Sequence, residues 1–385
     1  MTRTLRMTYC LSFLGLLTGM GLWSTSSLHG FERTEQMSLL DGKLAKATDQ
    51  HYDAAFPIKR LGTNVWAALD FKLFHEGRPG VVLGRDQWLF SDEEFKPTAG
   101  AEALVQENLA LIRGVRDTLQ RHGSQLVLAI VPAKARVYDE HLGQTRPASL
   151  HGELYNQFHA KARQANVFAP DLMAPLEQAK ARGQVFLRTD THWTPLGAEV
   201  AAQALAAAVS RQRLLEASPQ AFVTQAQGSA PYKGDLTNFL PLDPLFSHLL
   251  PPPDTLQQRT TRPVAAQADA GDALFADQQI PVALVGTSYS ANPRWNFVGA
   301  LQQALHSDVA NYAEDGHGPF LPMLKYLQSD AFQQAAPQVV VWEFPERYLP
   351  MKPELDGIDP HWVAQLKHSR DAEKNLALTA TRTTH

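Results

Sequence analysis

Two short runs, Gln125–Val131 and Ile280–Val285, are apolar almost from end to end. A strand without a polar face must be covered on both sides, and a parallel sheet with helices above and below does this. The flanking pattern agrees. A helix is predicted over Ala101–His122, with Leu104, Leu111, Val115 and Leu119 inward and Gly123 closing it. A helix over Gly152–Gln164, a strand at Val167–Pro170, a helix over Pro175–Arg182 and the run Val185–Leu187 follow. After Ile280–Val285 come a predicted helix Trp295–Leu305, a strand Val309–Tyr312, a helix Phe320–Phe332 and a strand Pro337–Trp342. This alternation predicts an α/β fold, three layers deep, with a mostly parallel sheet.

Chemistry-bearing residues gather where such strands end. Asp190 and His192 lie just after Val185–Leu187. Thr194-Pro195 follows, an N-cap and first-turn pair that opens a helix running towards Leu215. An Asp that orients a His needs a nucleophile from elsewhere. Ser288 is the candidate: Gly286-Thr287-Ser288 directly follows the apolar run Ile280–Val285, and a hydroxyl at the end of a parallel strand beside a Gly is well exposed. Taken singly, an Asp-x-His is a surface turn and a Ser after a strand is a helix cap. Their joint occurrence in an α/β frame favours a Ser-His-Asp constellation.

The segments Asp190-Thr191-His192-Trp193-Thr194-Pro195 and Val285-Gly286-Thr287-Ser288-Tyr289-Ser290 resemble those of the AlgJ/AlgX family of alginate O-acetylases, which are SGNH-hydrolase-like proteins. Val82–Phe90 and Val131–Tyr138 resemble the family as well. The likeness spans residues 60 to 350, and no appended carbohydrate-binding module is seen. It implies a circularly permuted order, since simple SGNH esterases place Ser first and Asp-x-x-His last. It also implies O-acetyl transfer to an exopolysaccharide, with mannuronate residues of alginate as acceptor, through an acetyl-serine on Ser288. His192 would be the base and Asp190 its orienting partner. No cofactor or metal is expected. A Gly after the second strand helps form the oxyanion hole in SGNH-type proteins, and Gly318, or Gly316, stands at the matching place. The Asn that simple esterases carry after the last strand is missing, so Arg347 or Tyr348 is expected to line the site, with an Arg–Glu pair that fixes the loop as the alternative. The implied partners are the alginate-like polysaccharide, a membrane-bound acyltransferase that supplies acetyl groups, and other alginate acetylation proteins.

The N-terminus places this chemistry in the cell. Arg3 and Arg6 precede an apolar run from Met7 to Trp23, then small polar residues. This is a signal-type segment, cleaved or retained as an anchor, and the resemblance implies retention at the inner membrane with the rest in the periplasm. The expected organisation is 1–26 as signal or anchor and 27–59 as a stalk or surface helix. The SGNH-like domain covers 60–357 with a loop-rich insertion near 234–278, and 358–385 form a helix and polar tail. A net charge of −4 supplies no basic field, so nucleic acid is not an expected partner. Cys10 is the single cysteine, which excludes an intrachain disulfide and a thiolate cluster. The fourteen His show no paired ligand spacing, which disfavours a metal hydrolase. A polysaccharide esterase and a non-catalytic adaptor are the remaining alternatives. Trp88 is expected in the core. Lys134 and Arg136 either face an anionic polymer or sit in a solvated loop.

Overall fold

The structure, a computed structural model, describes residues 3–32, 41–216, 220–264 and 280–368. Its contacts divide the chain into two units. The first comprises Met1–Arg78 and Asn238–Leu250; the second comprises Pro79–Thr237 and Pro251–His385. The first holds helices α1 (Arg3–Ser24), α2 (Lys43–Ala55) and α3 (Pro57–Leu69). No residue of α1 is buried, and Arg3–Leu28 is long and apolar enough to cross a membrane. The two units meet at Arg78. The reason is local: the Asn64 side chain of α3 donates to Pro241 O at 2.6 Å, and Arg78 N–H donates to Phe239 O at 2.9 Å.

The second unit opens with the antiparallel pair β1 (Val81–Leu83) and β2 (Leu89–Ser91). Helix α4 (Ala101–Arg121) leads into β3 (Gln125–Val131), and the short α5 (Lys134–Val137) follows. Helices α6 (Ser149–Gln164), α7 (Met173–Ala179) and α8 (Pro195–Gln212) come next. Strands β4 (Phe222–Tyr232) and β5 (Asp254–Pro263) form an antiparallel ribbon. The chain then runs through β6 (Val282–Val285), α9 (Ser288–Ala291), α10 (Phe297–Leu305) and β7 (Val309–Asn311). Helices α11 (Phe320–Gln328) and α12 (Asp330–Gln334), strand β8 (Val339–Pro345) and a helix over 360–368 complete it.

The central sheet has the order β3-β8-β6-β7, and every pairing is parallel. Strand side chains alternate between faces, and the core divides accordingly. Val127, Ala129, Val282, Leu284, Val339 and Val341 pack with α7, α8 and α10, whereas Leu128, Ile130, Ala283, Val285, Val340 and Trp342 pack with α4, α6 and α11. Three layers result, and all strand C-termini share one end of the sheet.

Several local expectations are corrected. No strand forms at Val167–Pro170: Leu128 N–H reaches Phe168 O at 2.9 Å, but Pro170 has no N–H to extend a ladder. Val185–Leu187 is not a sheet strand either; a single bridge joins Phe186 to Trp193. Residues 254–263 form β5 rather than a loop. The β4–β5 ribbon leaves most side chains exposed, so its polar sequence lacks a hydrophobic alternation. The helix after Ser288 starts at Phe297, because Asn296 sits at φ 53° and interrupts it. The predicted helix Phe320–Phe332 breaks at Ser329, which caps α12. The rest of the expected insertion (265–278) and the tail (369–385) lie outside the described residues. Trp88 is buried as expected, stacked on His141 and packed against the tilted ring of Tyr138.

Candidate active site

The Asp-x-His turn is closed at its base and fixed from beneath. Leu187 N–H donates to His192 O (3.1 Å) and Thr194 N–H to Val185 O (2.9 Å), so 188–192 form a tight excursion. Thr194 ends it by accepting from Gly197 N–H at 3.1 Å, as an N-cap does, and Pro195 starts α8. The Asp254 carboxylate accepts from the N–H groups of Arg188 and Thr189 and from the Thr189 hydroxyl, at 3.0, 2.9 and 2.5 Å. Gly234 lies against this backbone: a Cβ there would sit 2.6 Å from Asp190 N, so only Gly fits.

The nucleophile turn is held by β8. Glu343, a charged residue in an otherwise apolar strand, is fully buried. It accepts from Thr287 N–H (2.7 Å), the Thr287 hydroxyl (3.0 Å) and the Ser290 hydroxyl (3.1 Å). Gly286 permits this approach, since a Cβ would meet Glu343 Oε2 at 2.5 Å. Thr287 caps α9, and Ser288 is the first residue of that helix. Trp295 Nε1 donates to Ser288 O (3.3 Å) and Trp193 Nε1 to Tyr289 O (3.2 Å). The Tyr289 hydroxyl donates to Thr191 O at 2.7 Å, joining the two turns directly.

Between them runs a continuous hydrogen-bonded chain. Ser288 Oγ lies 2.7 Å from His192 Nε2, and His192 Nδ1 lies 2.6 Å from Asp190 Oδ1. Asp190 Oδ1 also accepts from His192 N–H (2.9 Å), while Oδ2 accepts from the Tyr232 hydroxyl (2.9 Å) and Asp235 N–H (2.8 Å). Burial opposes ionisation of Asp190, but the His192 imidazole and these N–H donors outweigh it and lower its pKa to about 2. An ionised Asp190 can only accept, so Nδ1 carries the proton of that bond, and Nε2 faces the Ser288 hydroxyl, where the basic form of the ring can take its proton. The ring is fixed by Tyr289 and Trp295, with centroids at 4.7 and 5.2 Å.

A family model described as an SGNH hydrolase-like domain, acetyltransferase AlgX, matches residues 81–346. The chain belongs to this SGNH-hydrolase-like family. A probable alginate O-acetylase AlgJ of Pseudomonas putida is 83% identical over 385 residues, covering 100% of both chains. The counterpart of that name in Pseudomonas aeruginosa is 56% identical over 382 residues, covering 98% of this chain and 97% of the relative. A solved structure, the O-acetyltransferase domain of Pseudomonas putida AlgJ, superposes with a TM-score of 0.71 at 81% identity; it covers 76% of this chain and 100% of that one. The fold is therefore the expected SGNH-hydrolase-like α/β architecture, and the chain is an O-acetyltransferase.

Within this acetyltransferase fold, the other expected site residues lie outside the hydrogen-bonded chain itself. Arg347 is buried, its guanidinium over the rings of Tyr348 and Tyr289 at 4.9 and 5.7 Å. Its Nη1 donates to the Tyr289 hydroxyl at 3.5 Å and its Nε pairs with Glu93 at 2.9 Å. It thus touches the neighbour of Ser288, and the alternative of an Arg–Glu pair is also realised. Gly318, at φ 63°, and Tyr348 line a cavity of 270 Å³ with Glu93, His317 and Lys352. A larger hollow of 610 Å³ lies between α7 and α8 and contains none of the site residues. Asp190, His192 and Asp235 have donor atoms within 4.8 Å of one another. Both Asp190 oxygens and both His192 ring nitrogens are already engaged in hydrogen bonds, so a metal would have to displace them.

Lys134 and Arg136 follow neither sequence expectation. Arg136 Nη2 pairs with Glu346 at 2.6 Å. Lys134 is buried under the Asp-x-His turn, where its Nζ donates to the carbonyls of Leu89 (2.6 Å), Asp190 (2.8 Å) and Arg188 (3.0 Å). Burial lowers its pKa to about 8 against the attraction of Glu94 and Asp190. Sequence reasoning passed over Tyr232, Asp235, Asp254 and Glu343. Only Glu343 carried a signal, as a carboxylate within an apolar strand.

Glu343 yields a pH test. Burial raises its pKa from 4.5 to about 6 despite the Thr287 and Ser290 donors. Between those values the folded chain holds the proton more tightly than the unfolded one. Its contribution to stability is therefore present below 4.5 and lost as pH rises through about 6. Glu343→Gln is expected to flatten the fall in stability over that interval by about 2 kcal/mol, read from urea midpoints on either side of it. An unchanged slope would mean that Glu343 does not gain a proton on folding.

Proposed function

We propose that the chain transfers acetyl groups to hydroxyls of alginate, on mannuronate residues, at the periplasmic face of the inner membrane. The observation that carries this reading is the Ser288–His192–Asp190 hydrogen-bonded chain at the C-terminal end of a parallel sheet. Ser288 Oγ attacks the acetyl carbonyl of the donor while its proton passes to His192 Nε2. Asp190 holds the imidazole and stabilises the imidazolium that forms. The tetrahedral oxyanion is met by the Ser288 N–H at the start of α9 and an N–H beside Gly318, with Arg347 and Tyr348 bordering the site. Collapse of this intermediate expels the donor's leaving group, which takes the proton from His192 and leaves acetyl-Ser288. A sugar hydroxyl then gives its proton to His192 and attacks the acetyl-serine, and the second collapse returns the proton to Ser288 Oγ.

The names of the relatives support alginate as acceptor, and α1 supports attachment to the membrane. The acetyl groups come from a membrane-bound acyltransferase, and other alginate acetylation proteins share the polymer. The test is chemical trapping. The purified chain is mixed with an activated acetyl ester, quenched in acid and digested. Mass spectrometry is expected to find one acetyl group on the peptide containing Ser288, and added mannuronate oligomers are expected to discharge it faster than water alone. Acetyl groups found only on other residues would refute the intermediate; discharge indifferent to the oligomer would point to hydrolysis.

A further inference from the structure

Helix α3 is turned the wrong way round for a helix facing water. Its inward side is small and polar: Asn64 and Ala68 are buried, and Asn64 is tied to Pro241 O. Its outward side is apolar. Leu61, Val65 and Leu69 follow one another at every fourth residue, and the helical turn Asp70–Phe74 continues the line with Leu73. Trp66 and Phe74 stand beside it, with Trp66 and Leu73 each 66% exposed. Because the inner face is packed and hydrogen-bonded, the outward direction of this stripe is a settled feature of the unit. Water-facing helices present the opposite arrangement, polar outward and apolar inward.

The position of α3 along the chain says what covers it. Helix α1 ends at Ser24, and a short turn, Thr25–Leu28, follows. That turn is clamped to the end of α2. Ser27 Oγ donates to Ala55 O at 3.4 Å, and His51 Nε2 lies 3.2 Å from His29 O. Ala55 is two residues before Pro57, where α3 begins. The start of α3 is thus held next to the point where the spanning-length helix ends. Exposed Arg60 and Lys72 accompany the stripe, and long basic side chains of this kind reach phospholipid headgroups while their stems stay with apolar surface. A Trp on such a face suits the boundary between headgroups and acyl chains.

We propose that α3 and its continuation to Phe74 lie in the plane of the membrane–water interface, as a second contact with the phospholipid bilayer beside α1. This rests on the reading of α1 as a retained membrane anchor. The bilayer is the occupant of the apolar stripe, and the first unit is a two-point membrane mount in place of a single tether.

The single native cysteine provides the test. Full-length protein is reconstituted into vesicles of phosphatidylethanolamine and phosphatidylglycerol, with or without brominated acyl chains, and a fluorophore is attached to one cysteine at a time. Cys10 reports α1. In a Cys10→Ser background, Val65→Cys, Leu69→Cys and Leu73→Cys report the stripe, and Glu102→Cys on α4 serves as the aqueous control. The stripe positions are expected to lose about half their fluorescence to brominated lipid, as Cys10 does, while position 102 loses none. Quenching at Cys10 with none along the stripe would overturn the inference and leave the anchor reading standing; no quenching at Cys10 would overturn both. In whole membranes, a stripe shielded from a water-soluble maleimide yet unquenched in the purified vesicles would assign it to a protein partner, which also overturns the lipid assignment.

Discussion

Ser288→Ala is expected to lower acetyl transfer roughly ten-thousand-fold or more while leaving the folded chain intact. The two effects separate because of what the side chain does. Among the described residues its hydroxyl hydrogen-bonds to His192 Nε2 alone, and Ser288 is only partly buried, so its removal costs on the order of 1 kcal/mol of stability. The turn around it keeps its other supports, from Glu343, Trp295 and Trp193. The proposed mechanism, by contrast, loses the atom that becomes the acetyl ester. The measurement is the acetyl content of alginate from cells that carry the variant at normal protein level, together with polymer yield. Acetylation that vanishes while export continues identifies Ser288 as the nucleophile. Unchanged acetylation would sink the proposed mechanism and leave the hydrogen-bonded chain with a structural role. Residues that act as a unit are not additive, so adding His192→Ala to Ser288→Ala is expected to lose little more.

Lys134→Met is expected to produce the largest loss of stability, about 3 kcal/mol, with a fall in activity at temperatures where the variant is still folded. The ammonium is shared by three carbonyls, one from β2 and two from the turn that carries Asp190. Methionine fills a similar volume and removes the cost of burying a charge. It also leaves three buried oxygens without their donor, and each such orphan costs about 1–3 kcal/mol, which outweighs the relief. For a unit of this size, the thermal midpoint is expected to fall by roughly 5 °C. Activity falls because the freed Asp190 carbonyl lets the turn shift, which lengthens the 2.6 Å bond between His192 and Asp190. Thermal unfolding and acetyl-ester turnover check the two parts separately. A variant with wild-type midpoint and wild-type turnover would show that the ammonium does not pin the turn.

Lys134 also illustrates why part of the site could not be read from sequence. It follows β3 within a Pro-Ala-Lys-Ala-Arg stretch that has the composition of a surface loop. What buries it are the carbonyls of residues 45, 54 and 56 positions away. Tyr232 and Asp235 are similar: nothing near them in sequence hints that both reach Asp190. The β4–β5 ribbon was unreadable for another reason. Most of its side chains are exposed on both faces, so no period-two pattern was written into it. The apolar stripe on α3 is illegible for a third reason, since a helical repeat in sequence does not say which side faces the core.

The sequence by itself determined what depends on neighbours in the chain: the apolar strands of the parallel sheet, the Thr194-Pro195 start of α8, the Gly286-Thr287-Ser288 turn and the identity of the three hydrogen-bonded residues. Periodicity and capping act over a few residues, and that is why they are legible. Only the tertiary structure decided which groups hold those residues in place. The bond between Ser288 and His192 closes across 96 positions, and the bond from Glu343 to the Thr287 backbone across 56. Burial of a carboxylate or an ammonium is tolerated only where donors or acceptors converge from several elements, and that convergence exists only once the sheet has brought the ends of its strands together.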